Sequence, residues 1–131
     1  TWNVFAAHYI EMAKARAYGI GFSDAERDGA IFTLHKVLST LLKLLAPITP
    51  FITDFLWQTL YSDKSIHTEQ QVKEESNEDL TKHTQGISEF NSKVWNTKKE
   101  KGLSLKDSIK IEIPKELDVF KKDLVAMHHL E

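Results

Sequence analysis

The sequence predicts a mainly α protein, a helical bundle with a small C-terminal helix–strand–helix appendage. Three observations lead to this fold class. Apolar residues recur at helical spacing over residues 2–17, 24–46 and 50–61. Proline, glycine and capping residues stand between these segments. The apolar spacing changes to every second residue only near the C-terminus, within residues 103–113.

The composition narrows the possible functions. The chain has 131 residues, of which 41% are hydrophobic and 27% charged, as in an ordinary globular domain. Its net charge of -2 means that any nucleic-acid site must be a local basic patch. There is no cysteine, which excludes thiolate metal sites and is compatible with a reducing compartment, so we expect a cytoplasmic protein. The longest apolar run is interrupted by Lys43, two prolines and Asp54, so we expect no membrane association.

The first helix is predicted over residues 2–17. Gly19 and Gly21 end it, and Ser23 begins the next helix as an N-cap, with Glu26 as its capping-box partner. One face of the first helix is apolar and consists of Trp2, Phe5, Tyr9, Met12 and Ala13. The sequence begins within this helical pattern, so we expect a fragment of a longer protein.

The second and third helices, over residues 24–46 and 50–61, meet at a proline corner. Pro47 ends the second helix, and Thr49 is predicted to cap the third, with Pro50 in its first turn. Trp57 is expected in the core. The second helix carries its apolar stripe at Ile31, Leu34, Leu38, Leu41 and Leu45.

The segment 69–85 differs in kind from the helices before it. It contains five acids, two lysines and two aliphatic residues, which is typical of a flexible linker. The preceding residues 65–68 could be extended. The sequence therefore predicts three parts: a helical-bundle part over 1–68, an acidic flexible linker over 69–85 and an appendage over 86–131.

The appendage is predicted to begin with a helix from Gly86 that Gly102 ends. The alternation that follows predicts a strand, clearest over 107–113, which Pro114 ends. A last helix carries Leu117, Phe120, Leu124 and Met127. Because a lone strand is unstable, its partner would be residues 65–68, another chain or residues outside this sequence.

The motifs of common enzymes are absent. The sequence contains no glycine-rich phosphate loop, no nucleophile elbow and no His-Glu-x-x-His. His8 and His35 stand singly in predicted helices, and the pair His128–His129 lacks the spacing that places two imidazoles on one helix face. We therefore predict no catalytic residue, no metal ligand and no cofactor within this chain.

Two groups of cations are candidates for RNA binding. Lys14 and Arg16 lie between Tyr9 and Tyr18 at the end of the first helix, where rings can stack on bases while cations hold phosphates or base edges. The alternative is that these cations only complement the helix dipole. A second patch over residues 93–115 has seven lysines and three acids and includes Lys98, Lys99 and Lys101. It could contact a nucleic-acid backbone or simply be a solvated face.

Four segments resemble the anticodon-binding domain of class I aminoacyl-tRNA synthetases, specifically valyl-tRNA synthetase. They are YIEMAKARAY at residues 9–18, LLAPITPFITDFLW at 44–57, SIH at 65–67 and GLSLK at 102–106. The glutamate after Tyr9-Ile10, with Lys14 and Arg16 following, is more similar to the valine enzyme than to the isoleucine one. Ala15 stands where the family usually has proline, and Gln70-Gln71 where it usually has Trp-Pro.

The resemblance implies binding of the anticodon stem-loop of valine tRNA. Lys14 and Arg16 would contact phosphates or base edges, Tyr18 would stack, and Lys98, Lys99 and Lys101 would form a backbone patch. The parent enzyme would join valine to its tRNA with ATP, bound in a catalytic domain outside this chain. The first helices of the bundle would also lie outside it.

Two other expectations remain open. If those first helices are missing, the face formed by Trp2, Phe5 and Tyr9 is unpartnered, and the fragment should self-associate through it. The chain could instead be a helical protein-interaction module, or the equivalent domain of isoleucyl-tRNA synthetase.

Overall fold

The N-terminal helix is continuous but changes its hydrogen-bond register. In a computed structural model, which describes residues 2–70, 72 and 81–131, α1 (Trp2–Val4) leads into a π-helical segment (Phe5–Tyr9) and then into α2 (Ile10–Ala17). The N–H of Ile10 donates to the carbonyl of Phe5, five residues back. The predicted helix over 2–17 is confirmed, and the π segment is a feature that apolar periodicity did not show.

Local capping ends α2 and begins α3 (Asp24–Leu45) as predicted. The N–H of Ile20 donates to the carbonyl of Ala15 at 2.9 Å, and that of Gly19 to Arg16 at 3.0 Å, which is a Schellman motif. Gly19 has a φ of 70°, which favours glycine. The predicted capping box is also present, because the N–H of Ser23 donates to Oε2 of Glu26 at 2.8 Å.

The chain divides into two compact units within α3: Thr1–Asp28 with Asn77–Glu131, and Gly29–Ser76. The first helical segment thus belongs to the same unit as the C-terminal residues. The predicted parts 1–68, 69–85 and 86–131 stay a prediction about domains, and most of the predicted linker, residues 71 and 73–80, lies outside the described residues.

The unit Gly29–Ser76 contains α4 (Pro50–Leu60) and a 3-10 turn (Ile66–Thr68). Trp57 is buried in its core, as predicted, together with Leu42, Ala46 and Ile66. Asp54 holds the 3-10 turn by accepting from the Ile66 N–H and the Ser65 hydroxyl, both at 2.8 Å. The extended conformation considered for 65–68 is therefore wrong for Ile66–Thr68.

One expectation for the corner needs correction. Thr49 precedes α4, but its hydroxyl makes no capping bond and donates back to the carbonyl of Leu45 at 3.2 Å. Several apolar side chains of α4 also remain exposed. Phe51 is 89% exposed and Phe55 65% exposed.

The other unit contains α5 (Thr84–Glu100), a 3-10 segment (Lys115–Phe120) and α6 (Lys121–His128), which packs against α2. Gly102, with a φ of 65°, ends α5 in a second Schellman motif, as predicted. The predicted last helix is confirmed only from Lys121 onward. The core of this unit consists of Phe90, Val94, Ile109, Leu117 and Leu124.

The predicted strand over 107–113 does not form a ladder. Among the described residues, Ile109 makes one isolated parallel bridge with Leu130 and no named strand is present. The N–H of Ile109 donates to the carbonyl of His129 at 3.2 Å, and that of Glu131 to Ile109 at 3.3 Å. Ile109 is buried and Ile111 and Ile113 are half-buried against the core. The alternation over 109–113 therefore reflects the burial of every second side chain and not a strand ladder. The mainly α class is confirmed.

Candidate RNA-binding surface

The end of α2 carries two of the predicted RNA-binding side chains at the surface. Tyr18, which follows α2 directly, is 75% exposed. The Lys14 side chain is half exposed, and its ammonium pairs with Glu11 at 2.5 Å. Ile20, within the turn, is 67% exposed. An exposed ring beside an exposed cation is the arrangement on which unpaired bases stack while their phosphates are neutralised.

Arg16 lies beside them but is engaged within the protein. Its Nε donates to Oδ1 of Asp123 at 2.8 Å and its Nη2 to Oδ2 at 2.5 Å, a bidentate pair between α2 and α6. The Arg16 side chain is 34% exposed and that of Asp123 is 8% exposed. The hydrogen bond to Asp123 raises the pKa of Arg16 above its ordinary value. The predicted direct contact between Arg16 and RNA stays a prediction, but two of its N–H donors are used within the protein.

The turn between α2 and α3 is held at its far end by Phe22. Cζ of Arg16 lies 5.1 Å from the centroid of the Phe22 ring, and Nζ of Lys122 lies 4.4 Å from it. Lys122 also donates to both carboxylate oxygens of Glu26 at 2.8 Å. Hydrogen bonds from Lys122 and then from Ser23 lower the pKa of Glu26 to about 2. We call Arg16, Phe22, Glu26, Lys122 and Asp123 the turn clamp.

The second predicted patch includes one wrong assignment. Lys98 is 1% exposed, and its ammonium donates to the carbonyls of Leu105 at 2.7 Å and His128 at 2.8 Å. Burial lowers its pKa, although Asp107 partly opposes this shift. A buried ammonium cannot reach an RNA phosphate, so its role is to join α5 to the two segments that follow. Lys99 and Lys101, in contrast, are exposed.

A buried polar network near Lys98 was not predicted. Asn91, at 0% exposure, contacts Nδ1 of His8 at 3.2 Å and Nε2 of His128 at 2.7 Å. His8 also contacts the Ser88 hydroxyl at 3.2 Å and stacks on Trp95. Burial first, and the nearby Lys98 second, lower the pKa of His128 to about 4. Each histidine is thus a structural residue that Asn91 connects.

Nothing in the described part of the chain resembles a metal centre or a membrane span. No group of three or more histidine or acidic side chains there could hold a metal ion. No helix among those residues is both long and apolar enough to cross a bilayer.

Comparison with known proteins identifies the family. Residues 1–113 match the family described as the anticodon-binding domain of tRNA ligase. The chain belongs to this family. Its relatives include a valine–tRNA ligase of Nanoarchaeum equitans, 39% identical over 99% of this chain and 16% of the relative. Another is a valine–tRNA ligase of Pyrobaculum aerophilum, 41% identical over 82% of this chain and 14% of the relative. No solved structure matches the chain.

The anticodon-binding family match has two limits that matter for the site. The chain spans only 16% and 14% of the lengths of these two relatives, so it corresponds to one part of each of them. The match ends at residue 113, before α6 begins at Lys121. It therefore includes Lys14, Arg16 and Tyr18 but not Asp123 or Lys122.

Sequence reasoning missed Phe22, Lys122 and Asp123. One signal could have pointed to Asp123, because it lies three residues after Phe120 on the apolar stripe of the last helix. A carboxylate on a stripe that enters the core requires a buried partner. The sequence did not indicate which of the 17 lysines and arginines that partner would be.

Proposed function

We propose that this chain binds the anticodon stem-loop of a valine-accepting tRNA as part of a valine–tRNA ligase. The observation that carries the proposal is the 39% identity to the Nanoarchaeum equitans valine–tRNA ligase over 99% of the chain. The parent enzyme would join valine to its tRNA with ATP, which we assign to parts of the enzyme outside this chain. Those parts would also supply the cofactor site.

In this role the chain selects and orients the tRNA and forms no bond. Binding energy gained at the anticodon holds the tRNA so that its acceptor end reaches a distant active site. The exposure of Tyr18 and Lys14 supports a role in that contact. Lys99 and Lys101 are exposed and suited to the sugar–phosphate backbone.

The sharpest test uses the full-length ligase with Tyr18→Ala and Lys14→Ala. We expect Tyr18→Ala to lower kcat/KM for valine tRNA about tenfold, because stacking on one base contributes roughly 1–3 kcal/mol. The preference for the cognate tRNA over an anticodon-mutated tRNA should fall with it. Lys64→Ala, an exposed lysine of the other unit, is the matched control. If neither Tyr18→Ala nor Lys14→Ala changes either quantity, these residues do not read the anticodon.

Salt and tRNA identity separate this function from its alternatives. RNA binding through phosphates weakens steeply as salt rises, whereas apolar docking of a partner protein changes little. Preference for valine tRNA over isoleucine tRNA separates the valine enzyme from the isoleucine one. A salt-independent tRNA affinity would contradict the phosphate contacts, and equal affinity for the two tRNAs would contradict the valine assignment.

We also propose that the isolated chain self-associates through the face around Phe5 and Tyr9. The two rings stack with centroids 5.7 Å apart and line an apolar groove of about 520 Å³. Sedimentation velocity should show a concentration-dependent dimer that Phe5→Glu abolishes. A monomer at every concentration would contradict self-association. We further propose that the parent enzyme is cytoplasmic, which cell fractionation tests.

A further inference from the structure

Arg16 lies beside the candidate RNA-binding surface, in a position that is compatible with two roles. It lies two residues before the exposed Tyr18, yet two of its five N–H donors point to Asp123. Its guanidinium also lies over the ring of Phe22. Two roles are therefore possible: a direct contact with RNA through the remaining donors, or indirect action through the turn that carries Tyr18.

The turn needs an external support because it is short and rich in glycine. Residues 18–22 contain Gly19 and Gly21, with φ values of 70° and 76°. Glycine leaves the backbone many alternative conformations, so local sequence alone holds such a turn weakly. The Schellman bonds hold its first half, and Phe22, under Arg16 and Lys122, holds its second half.

Asp123, on α6, fixes the position of Arg16 and so contributes to this support. Its carboxylate is almost fully buried and receives both Arg16 bonds, so it determines where the guanidinium lies over Phe22. Lys122, the preceding residue, extends to Phe22 and Glu26. Asp123 thus pairs with Arg16 before the turn, and Lys122 contacts Phe22 at its end. Both lie outside the residues that match the anticodon-binding family.

We propose, on the basis of the RNA-binding function above, that Asp123 is a positioning residue for anticodon recognition. It acts through Arg16 and Phe22 and holds the turn so that Tyr18 is presented to a base. Arg16 acts through the same clamp and not through contact with RNA. The specificity of the site thus depends on α6, a helix that does not itself touch the RNA.

The first experiment measures the order of the turn without RNA. Hydrogen exchange of residues 18–22 in the full-length ligase should become faster in Asp123→Asn, while exchange in α5 stays unchanged. Asp118→Asn, at an exposed acid of the neighbouring 3-10 segment, is the matched control. Unchanged exchange at 18–22 in Asp123→Asn would overturn the clamp. Faster exchange throughout the unit would show general unfolding and would also overturn a specific positioning role.

The second experiment measures anticodon recognition in the same enzyme. Asp123→Asn should raise the KM for valine tRNA about tenfold with a smaller change in kcat, the size expected for a lost charge-assisted pair. Asp118→Asn should leave the KM unchanged. Arg16→Lys should resemble Asp123→Asn, because an ammonium keeps the charge but not the bidentate geometry.

The exchanged pair Arg16→Asp with Asp123→Arg distinguishes the two roles of Arg16. It restores a bidentate pair between α2 and α6 but removes the cation from position 16. Recovery of the KM supports positioning, whereas no recovery shows that Arg16 itself contacts RNA and overturns the proposal. If Tyr18→Ala impairs recognition and Asp123→Asn does not, the clamp is wrong and the proposed function stands. If Tyr18→Ala and Lys14→Ala have no effect, the proposed site fails and the clamp fails with it.

Discussion

Nε2 of His128 lies 2.7 Å from Oδ1 of Asn91 in the interior of the unit that α5 and α6 share. With the amide oriented in this way, Asn91 accepts from His128 and donates through Nδ2 to Nδ1 of His8 at 3.2 Å. Asn91 therefore joins the π-helical segment to α6 through two histidines.

Mild acid should destabilise the protein through His128. Its pKa is about 4 in the folded state, against 6.5 ordinarily, so the unfolded chain binds this proton more readily. The stability that this residue contributes is complete above about pH 6.5 and is lost as the pH falls toward 4. Over that interval the free energy of unfolding should fall by about 3 kcal/mol. Urea unfolding between pH 5 and pH 7 measures the slope.

His129→Gln is the control for that slope, because His129 is exposed. It should keep the pH dependence, whereas His128→Gln should flatten it at the expense of stability. Glu26, with a pKa of about 2 against 4.5, contributes stability that is lost only at lower pH, so it does not interfere. The same slope in His128→Gln as in the unchanged chain would contradict the assignment.

Replacing Asn91 by alanine should be strongly destabilising. Asn91→Ala removes the partner of both histidines and leaves polar atoms unpaired in a site of 0% exposure. The expected loss is about 2–4 kcal/mol in the free energy of unfolding. Asn96→Ala, an exposed position on the same helix, should change it little. Equal effects of the two substitutions would show that the network contributes nothing specific.

Substitutions of Lys98 and Lys99 should affect different properties, stability for Lys98 and RNA binding for Lys99. Lys98→Met removes bonds to two backbone carbonyls and should lower the free energy of unfolding by about 1–3 kcal/mol. It should leave the salt dependence of tRNA affinity unchanged. Lys99→Met should leave stability unchanged and reduce that salt slope by roughly one. The pair is measured by urea unfolding and by salt titration of tRNA binding. The opposite pattern would place the Lys98 ammonium on RNA.

Replacing Gly19 and Gly29 by alanine should change the stability of the chain in opposite directions. Gly19→Ala puts a side chain at a φ of 70° and should destabilise the end of α2 by about 1 kcal/mol. Gly29 lies within α3, and a methyl group there meets nothing within 4 Å. Gly29→Ala should therefore stabilise the chain by roughly 0.5–1 kcal/mol. Thermal unfolding of both variants tests this, and a stabilising Gly19→Ala would contradict the observed turn.

The sequence alone determined where most helices end. Gly19 and Gly102 end α2 and α5 in Schellman motifs, and Ser23 with Glu26 begins α3, as predicted. These features are predictable because each depends on hydrogen bonds that span three to five residues. Family membership also followed from sequence, since its motifs are read directly from the chain.

The tertiary structure decided which polar residues face inward. Lys98 and Lys99 are adjacent in the sequence and equal in charge, yet one is buried on two carbonyls and the other is exposed. Thr49 has the residue type of a helix cap, but its hydroxyl donates to the carbonyl of Leu45 in the preceding helix. The alternation over 109–113 resembled a strand because burial of every second side chain against the core produces the same period as a ladder.

The same distinction applies to the candidate site. The sequence identified Lys14, Arg16 and Tyr18, because their residue types and the helix end that carries them are local features. It did not identify Asp123, which is 107 residues from Arg16 in the chain and meets it only when α6 packs on α2. Local hydrogen bonding determines how a segment begins and ends, whereas packing between distant segments decides which charge a given side chain meets. The sequence therefore determined the candidate reading residues, and only the tertiary structure showed what holds Arg16 in place.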